Sequence, residues 1–224
     1  MNKFDSQFNK PVCGIDEVGR GPLCGPVVSA CAYIKPESYN APEWQSITDS
    51  KKITAKKRES LFDFICENTI YGISEVSPQE IDTLNIHHAT LLAMKNAYEV
   101  MLKKMSFRAP QAEESHADKE ISRFARNDGV LALVDGKFPP NLSCDIQTVI
   151  KGDSLSLSIG AASIIAKVYR DRLMKKYHDE FPYYGWDTNS GYGTKVHMEG
   201  LQQYGLTPHH RLSFAPCAAL IKKA

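Results

Sequence analysis

The chain has 224 residues, of which 42% are hydrophobic and 24% charged, and its formal net charge is +1. This length and composition are typical of one large globular domain, and the small net charge means that any nucleic-acid surface has to be a local patch. Six scattered cysteines form no CxxC pair, which argues against a zinc site or a disulfide framework. No apolar signal core or membrane-length run is found, so we expect a cytoplasmic protein that does not associate with membranes.

Two short apolar runs near the N-terminus predict neighbouring strands. Residues 12–15, bounded by Pro11 and a glycine turn, predict a buried strand with Asp16 at its C-terminal side, and residues 27–34 predict a second strand. The connection is too short for a crossover helix, so we expect the two strands to be antiparallel. Residues 70–76 alternate well enough to predict a third strand.

The loop between the first two strands carries adjacent carboxylates, Asp16 and Glu17, followed by Gly19-Arg20-Gly21. Glycines let the backbone approach another molecule closely, and an arginine offers a planar donor fork that suits phosphate. This combination suggests a metal ion held beside a phosphate. A strand end followed by a solvated turn arginine is an equally common explanation of the same residues.

The middle of the chain predicts three helical segments. Residues 47–59 form a basic stretch, which is more typical of a solvated helix face than of a phosphate contact. Ser77-Pro78-Gln79-Glu80 is a capping box, and a short helix and then a longer one at about 89–104 are expected to follow. His87 and His88 cannot share one helix face, so they are interpreted as surface or packing residues and not as metal ligands. Residues 105–128 predict an exposed, charged insertion with no assigned function.

The second half of the chain predicts two more strands and a long helix. Residues 129–135 predict a buried strand that ends at Asp135, and residues 146–150 predict a shorter one. Asp153 then lies just ahead of a helix predicted at 158–181, where the aligned peptide dipoles favour a carboxylate. From about residue 182 the chain is rich in loops, with a helix expected between Thr194 and Tyr204.

Four acids therefore stand at strand ends or at a strand–helix junction: Asp16, Glu17, Asp135 and Asp153. Ligands of open α/β sheets gather at such edges. Clustered carboxylates repel one another unless a cation neutralises them, and an all-oxygen donor set favours Mg²⁺ or Mn²⁺. Two such ions can activate water and stabilise the leaving oxygen of a phosphodiester. Four unrelated surface acids remain the alternative, because periodicity alone does not prove convergence.

Seven motifs in order resemble those of bacterial ribonuclease HII over about residues 12 to 216: GIDEVGRGPLCGPVV, TDSKK, IDTLNIHHAT, LVDG, KGDSLSLSIGAASIIAKVYRDRL, SGYGTKVH and HRLSFAP. The resemblance implies an α/β, RNase H-like fold, with a mixed β-sheet flanked by helices and a small C-terminal helical region, in one catalytic domain spanning residues 1–224. It also implies that the metal-binding catalytic acids are Asp16, Glu17, Asp135 and Asp153.

The resemblance further implies an endonuclease that cleaves the RNA strand of RNA–DNA hybrids and incises 5′ to single ribonucleotides embedded in duplex DNA. The expected products carry a 3′-hydroxyl and a 5′-phosphate, the expected cofactor is Mg²⁺ or Mn²⁺, and a monomer acting in ribonucleotide excision repair is expected. The alternatives are a general hybrid nuclease of the ribonuclease HIII kind and a non-catalytic hybrid-binding protein.

The substrate contacts are also implied by the resemblance. Gly19-Arg20-Gly21 matches a loop that contacts the ribonucleotide's 2′-hydroxyl and adjoining phosphate, and Tyr192 matches a tyrosine that stacks on the next sugar. Lesser candidates are Lys51, Lys52 and Lys195 for backbone phosphates and Asn85 for the DNA strand.

Asp171 and the pair Asn189-Ser190 bear on the metal ligands and on the phosphate contacts. Asp171 also matches the family, but its neighbours Arg170 and Arg172 favour a structural ion pair over a metal ligand. Asn189-Ser190 departs from the His-Lys that is usual in bacterial relatives, and this departure is expected to weaken a phosphate contact.

Overall fold

The computed structural model describes residues 2–47, 53–106 and 130–222, with side chains from residue 4 onward. Within these ranges the chain forms a mixed sheet of β1 (Val12–Val18), β2 (Val27–Ile34), β3 (Thr69–Val76), β4 (Leu131–Asp135) and β5 (Asp145–Val149). The strand order is β3-β2-β1-β4-β5. The pairs β1–β2 and β2–β3 are antiparallel, as predicted for the first, and β4 runs parallel to both β1 and β5.

Helices cover both faces of the sheet. They are α1 (Asn2–Asp5), α2 (Ala55–Asn68), α3 (Pro78–Ser106), α4 (Leu157–Glu180), α5 (Trp186–Asn189), α6 (Lys195–Tyr204) and α7 (Ala215–Ile221). Because side chains alternate along a strand, β1 and β2 bury one set of apolar residues against α3 and another against α2 and α4. This arrangement confirms the predicted α/β class. None of the helices in the described ranges is long and apolar enough to cross a membrane.

The predicted capping box and the division of the following helix are both confirmed in α3. The Glu80 carboxylate accepts from the Ser77 backbone N–H at 2.9 Å, and the Ser77 hydroxyl accepts from the Glu80 N–H at 3.3 Å. A break follows at Asn85, which has φ 64° and ψ 163°. Its side-chain oxygen accepts from the backbone N–H groups of His87 and His88 at 2.9 and 3.2 Å. Asn85 therefore acts as an internal N-cap for the longer helical segment.

The predicted insertion at 105–128 falls almost entirely outside the described residues. Its first residue, Met105, still belongs to α3 and is fully buried in the core, together with Met101 one turn earlier. The exposed insertion therefore cannot begin as early as residue 105.

The start of α4 rests directly on the backbone of β1. A Cβ added at Gly14 would lie 2.1 Å from the backbone nitrogen of Ile159 and 2.1 Å from the carbonyl carbon of Ser158. The first turn of α4 is held there by the Ser156 hydroxyl, which accepts from the Ile159 N–H at 3.2 Å. The Asp5 carboxylate accepts from the Ser158 N–H at 2.8 Å. The helix that follows Asp153 is therefore fixed against the middle of the strand that carries Asp16.

The small C-terminal helical region is also confirmed. Helices α5, α6 and α7 enclose an apolar cluster of their own, which includes Tyr184, Trp186, Leu201 and Cys217. Leu23 and Cys24 from the β1–β2 loop and Met174 from α4 complete this cluster. The loop after Asp16 and Glu17 is consequently packed between the sheet and the C-terminal helices.

We predict that Gly14→Ala destabilises the protein by at least about 2 kcal/mol, because the added methyl group meets helix backbone that cannot rotate away. Urea unfolding measures the change. Gly193→Ala is the matched control, since its Cβ would meet the flexible side chain of Leu23 at 3.0 Å instead of backbone. Equal stability of Gly14→Ala and the wild type would contradict this packing.

Candidate active site

Parallel pairing of β1 and β4 brings Asp16 and Asp135 to one edge of the sheet. Ile15 pairs with Val134, and each aspartate is the next residue along its strand. Alternation along the strands puts Asp16 on the face of Gly14 and Asp135 on the face of Leu133. Gly14 and Leu133 both pack against the beginning of α4. Two of the predicted catalytic acids thus lie side by side on the α4 face.

The Asp16 carboxylate is buried, with 7% of the residue exposed. One of its oxygens accepts from the Glu17 backbone N–H at 2.7 Å, and the Ser163 hydroxyl also hydrogen-bonds to it. Burial raises the pKa of Asp16 well above its ordinary value, and the negative charges of Glu17 and then Asp135 raise this pKa further. The three acids therefore act on one another electrostatically.

Asp135 connects Asp16 and Glu17 to the fourth acid, Asp153. Its Oδ1 accepts from the Gly152 backbone N–H at 2.6 Å. Gly152 begins a short 3₁₀ turn, Gly152–Ser154, which contains Asp153, and Lys151 enters the turn in the left-handed conformation with φ 57°. Asp153 is 8% exposed. The Asp135 side chain thus positions the turn that carries Asp153.

Glu17 lies half-buried next to Asp16, and its Oε1 is 3.5 Å from Nη1 of Arg20. Within the described parts of the chain, no three carboxylate, imidazole or thiol side chains are gathered tightly enough to hold an ion as they stand. The donor set consists of oxygens, and its mutual repulsion opposes the ionisation of Asp16. The oxygen donors and the negative charge of these residues fit a hard divalent cation.

The predicted substrate loop and Tyr192 lie next to each other. A Cβ added at Gly21 would be 3.2 Å from Cε1 of Tyr192, whose side chain is half exposed. Gly19 has φ +90°, and a Cβ there would lie 2.2 Å from Nε of Arg170. Only glycine fits at position 19 because both the backbone conformation and the neighbouring guanidinium exclude a side chain.

The residues that depart from the family pattern shape the Tyr192 loop. Asn189 accepts from the Gly191 N–H at 2.8 Å through its side-chain oxygen, and its amide nitrogen donates to the Tyr184 carbonyl at 2.7 Å. Ser190 adopts the left-handed conformation with φ 49°. Both the oxygen and the nitrogen of the Asn189 side chain therefore form hydrogen bonds within the protein. The weaker phosphate contact expected at this position stays a prediction.

Two buried histidines hold the Tyr192 loop from behind. The His197 Nδ1–H donates to the Tyr192 carbonyl at 2.9 Å. The single lone pair of its Nε2 is shared by two donors, Trp186 Nε1–H at 3.2 Å and His210 Nε2–H at 3.1 Å. His210 Nδ1 accepts from the Thr207 N–H at 2.9 Å. Burial lowers the pKa of His197, and it lowers the pKa of His210 to about 3 with a further contribution from His197. Both rings are therefore neutral at physiological pH, as this network requires.

The remaining predicted contacts are more dispersed. Lys195 is the first residue of α6, and its Nζ is 3.8 Å from Glu199 with the side chain 89% exposed. Asn85 is exposed at the break in α3. Lys51 and Lys52 lie outside the described residues.

Asp171 forms ion pairs, as the sequence predicts, but with different partners. It contacts Lys167 at 2.6 Å and Arg58 at 3.6 Å. Arg172 pairs with Glu59 at 2.5 Å, and the guanidinium of Arg170 is buried and donates to backbone carbonyls. The flanking Arg170 and Arg172 are directed to other partners, because adjacent residues on a helix do not share a face.

Arg170 and Arg211 are two residues of the site region that were not predicted from the sequence. Both are almost completely buried, and both donate to the loop that follows Asp16 and Glu17. The sequence signals were the motifs that contain them, HRLSFAP for Arg211 and the end of KGDSLSLSIGAASIIAKVYRDRL for Arg170.

Comparison with known proteins identifies relatives along almost the whole chain. The family described as Ribonuclease HII matches residues 13–217. A Ribonuclease HII of Macrococcus caseolyticus is 43% identical, with 99% of this chain and 74% of the relative covered. Another, from Paramagnetospirillum magneticum, is 42% identical, with 92% and 91% covered.

Solved structures with a similar fold include the ribonuclease H2 from Pyrococcus horikoshii OT3. It has a TM-score of 0.64 and 26% identity, with 95% of this chain and 97% of that chain covered. Bst-RNase HIII, solved in complex with Mn²⁺, has a TM-score of 0.66 with 96% and 70% covered, and at 16% identity it supports the fold alone.

We predict that Asp16→Asn raises the thermal stability of the metal-free protein at neutral pH. Because the folded-state pKa of Asp16 is raised, its ionisation costs stability as the pH rises through that pKa, and an amide avoids this cost. The difference in Tm between variant and wild type should vanish below the ordinary aspartate pKa, where both side chains are neutral.

Thermal unfolding in EDTA across the acidic and neutral range measures this difference. Mg²⁺ should reverse the order at neutral pH by stabilising the wild type more than the variant. A variant less stable than the wild type throughout the range would contradict the inferred repulsion.

Proposed function

Since this chain belongs to the ribonuclease HII family, we propose that it incises duplex DNA 5′ to a single embedded ribonucleotide, besides cleaving the RNA strand of RNA–DNA hybrids. Ribonuclease H endonuclease activity follows from the family, which depends on divalent metal. The finer specificity is supported by one observation above all, the close approach of the Tyr192 ring to Gly21, where an added Cβ would lie 3.2 Å from the ring. The products proposed are a 3′-hydroxyl and a 5′-phosphate.

We propose that Asp16, Glu17, Asp135 and Asp153 hold Mg²⁺ or Mn²⁺. Two bound ions would supply an activated water and a positive charge at the leaving oxygen. The protein's part is to keep the acids in place. The Glu17 N–H orients the Asp16 carboxylate, and the Gly152 N–H orients the Asp135 carboxylate. Burial of Asp16 also excludes water that would weaken its interaction with a cation.

Ribonucleotide recognition is assigned to Gly19-Arg20-Gly21 and Tyr192. The 2′-hydroxyl is the group by which a protein distinguishes RNA from DNA, and a glycine backbone can reach it without steric interference. An exposed tyrosine ring at a fixed distance from Gly21 offers a flat surface for the sugar on the DNA side of the junction. A step from RNA to DNA would satisfy both contacts, and this favours incision at single ribonucleotides over the general hybrid cleavage of the ribonuclease HIII kind.

The wider context is also proposed. Residues 1–224 would form one catalytic domain that acts as a monomer in the cytoplasm. Its role would be the removal of misincorporated ribonucleotides, with Lys51, Lys52 and Lys195 on backbone phosphates and Asn85 on the DNA strand.

We predict that Asp135→Asn lowers cleavage of a duplex with one ribonucleotide by more than about 100-fold. A loss of about 100-fold is the upper end for residues that only hydrogen-bond to metal ligands, and a direct ligand should matter more. The amide oxygen can still accept from Gly152, so the fold should be retained. Gel-based cleavage with Mg²⁺ measures the rate. Asp145→Asn, on the exposed neighbouring strand, is the matched control and should cleave normally. Retained cleavage by Asp135→Asn would remove this acid from the mechanism, and a wild type that binds the duplex without cutting would support a non-catalytic binder.

We predict that Tyr192→Ala lowers cleavage of the single-ribonucleotide duplex more than cleavage of an all-RNA strand in a hybrid, because the ring serves the RNA–DNA junction. The two substrates are compared by kcat/KM. Tyr183→Ala removes an equally exposed tyrosine that stacks on Tyr204 at 4.2 Å, and it should leave the ratio unchanged. An equal loss on both substrates with Tyr192→Ala would count against junction reading.

A further inference from the structure

Arg211 is completely buried beneath the loop that follows Asp16 and Glu17. Its guanidinium donates three hydrogen bonds to backbone carbonyls of that loop: Nη2 to Gly19 at 2.5 Å, Nη1 to Arg20 at 3.0 Å and Nε to Gly25 at 2.9 Å. Its own backbone N–H donates to the Leu23 carbonyl at 2.9 Å. A single residue from the C-terminal region thus holds the loop along most of its length.

These hydrogen bonds determine which way the loop's peptide groups face. No peptide bond in the described ranges is cis, and in a trans peptide the C=O and the following N–H point in opposite directions. The carbonyls of Gly19 and Arg20 point inward to Arg211, so the N–H groups of Arg20 and Gly21 point away from it. Arg20 and Gly21 are exposed, whereas Gly19 is buried. Two successive donors therefore face outward at the surface beside Tyr192.

Arg170 fixes the distance between this surface and Tyr192. Its guanidinium donates to the carbonyls of Cys24 at 3.1 Å and Pro26 at 3.1 Å on one loop, and to the Ser190 carbonyl at 2.9 Å on the other. The Leu23 N–H also donates to the Gly191 carbonyl at 2.8 Å. The loop that follows Asp16 and Glu17 and the loop that carries Tyr192 are therefore held together by hydrogen bonds.

Holding the loop in this way has an electrostatic cost. Burial, and after it the charge of Arg170, together lower the pKa of Arg211 to about 9, so the group is still protonated at neutral pH. A buried guanidinium is costly unless its donors are satisfied. The loop carbonyls satisfy them, and the geometry of a planar fork is needed to reach three carbonyls from one side chain.

We propose that Arg211 is a positioning residue for ribonucleotide discrimination, which it serves by turning the N–H groups of Arg20 and Gly21 toward the substrate's 2′-hydroxyl and adjoining phosphate. The proposal rests on the proposed function. Arg211 does not touch the substrate. A lysine keeps the positive charge at this position but cannot hold the three carbonyls together.

The test compares the affinity for a duplex with one ribonucleotide with the affinity for the same duplex made only of DNA. Binding is measured by fluorescence anisotropy with Ca²⁺ in place of Mg²⁺, for the wild type, Arg211→Lys and the control Tyr184→Phe. The control removes only a hydroxyl group in the same C-terminal region, and this hydroxyl donates to the Gly205 carbonyl, which lies outside both loops. Thermal unfolding of each variant reports its fold.

Arg211→Lys should lose about tenfold in the ratio of the two affinities, equivalent to about 1.4 kcal/mol, while its affinity for the all-DNA duplex stays nearly unchanged. Tyr184→Phe should keep the wild-type ratio. A folded Arg211→Lys with the wild-type ratio, or an equal loss in Tyr184→Phe, would overturn the proposal. A wild type that fails to cleave the ribonucleotide duplex with Mg²⁺ would instead overturn the proposed function.

A second measurement uses the wild type alone and tests the proposal if Arg211→Lys does not fold. In NMR spectra of the wild type, the Arg20 and Gly21 amides should exchange quickly with solvent, unlike the Leu23 and Gly25 amides, which donate to Gly191 and His209. The ribonucleotide duplex should shift and protect the Arg20 and Gly21 signals, and the all-DNA duplex should not. Identical effects of both duplexes, or no effect of either, would contradict the proposal.

Discussion

A buried carboxylate surrounded by other carboxylates is the constraint on which this site depends. Asp16 is removed from water by the sheet and α4, and the charges of Glu17 and Asp135 act on it from close range. Each of these features opposes ionisation. A divalent cation reverses the balance, because the same low-dielectric surroundings that make the charges repel strengthen their attraction to the ion. On the proposed assignment of these acids as metal ligands, a bound ion would relieve the free-energy cost of the metal-free site.

The fold places this cluster by three independent contacts. Parallel pairing of β1 with β4 puts Asp16 and Asp135 at one edge, and the Gly152 N–H ties Asp135 to the turn that carries Asp153. The bare backbone at Gly14 lets α4 approach the sheet. Away from the acids, two buried arginines join the glycine-rich loop to the C-terminal region. The chemical part of the site therefore depends on the sheet, and the part assigned to substrate recognition depends on the packing of the C-terminal helices.

Much of this architecture was predictable from local patterns. The antiparallel β1–β2 pair followed from a connection too short for a helix, and the start of α3 followed from its capping box. The contacts of Arg170 and Arg211 were not predictable. Apart from Ser190, their side-chain acceptors are backbone carbonyls about 145 or more residues away in the chain, and a carbonyl leaves no signature in the sequence. Of the two partners of Asp171, Arg58 was not predictable because it comes from a different helix, whereas Lys167 lies four residues earlier on the same helix.

The most direct measurement is a crystal structure with Mn²⁺ and a duplex that contains one ribonucleotide, with the ions located by anomalous scattering. We predict manganese peaks within ligand distance of the Asp16 and Asp135 carboxylates, at the edge where β1 and β4 end. Manganese bound elsewhere, with no peak within ligand distance of Asp16, would contradict the assignment of this cluster as the catalytic metal site.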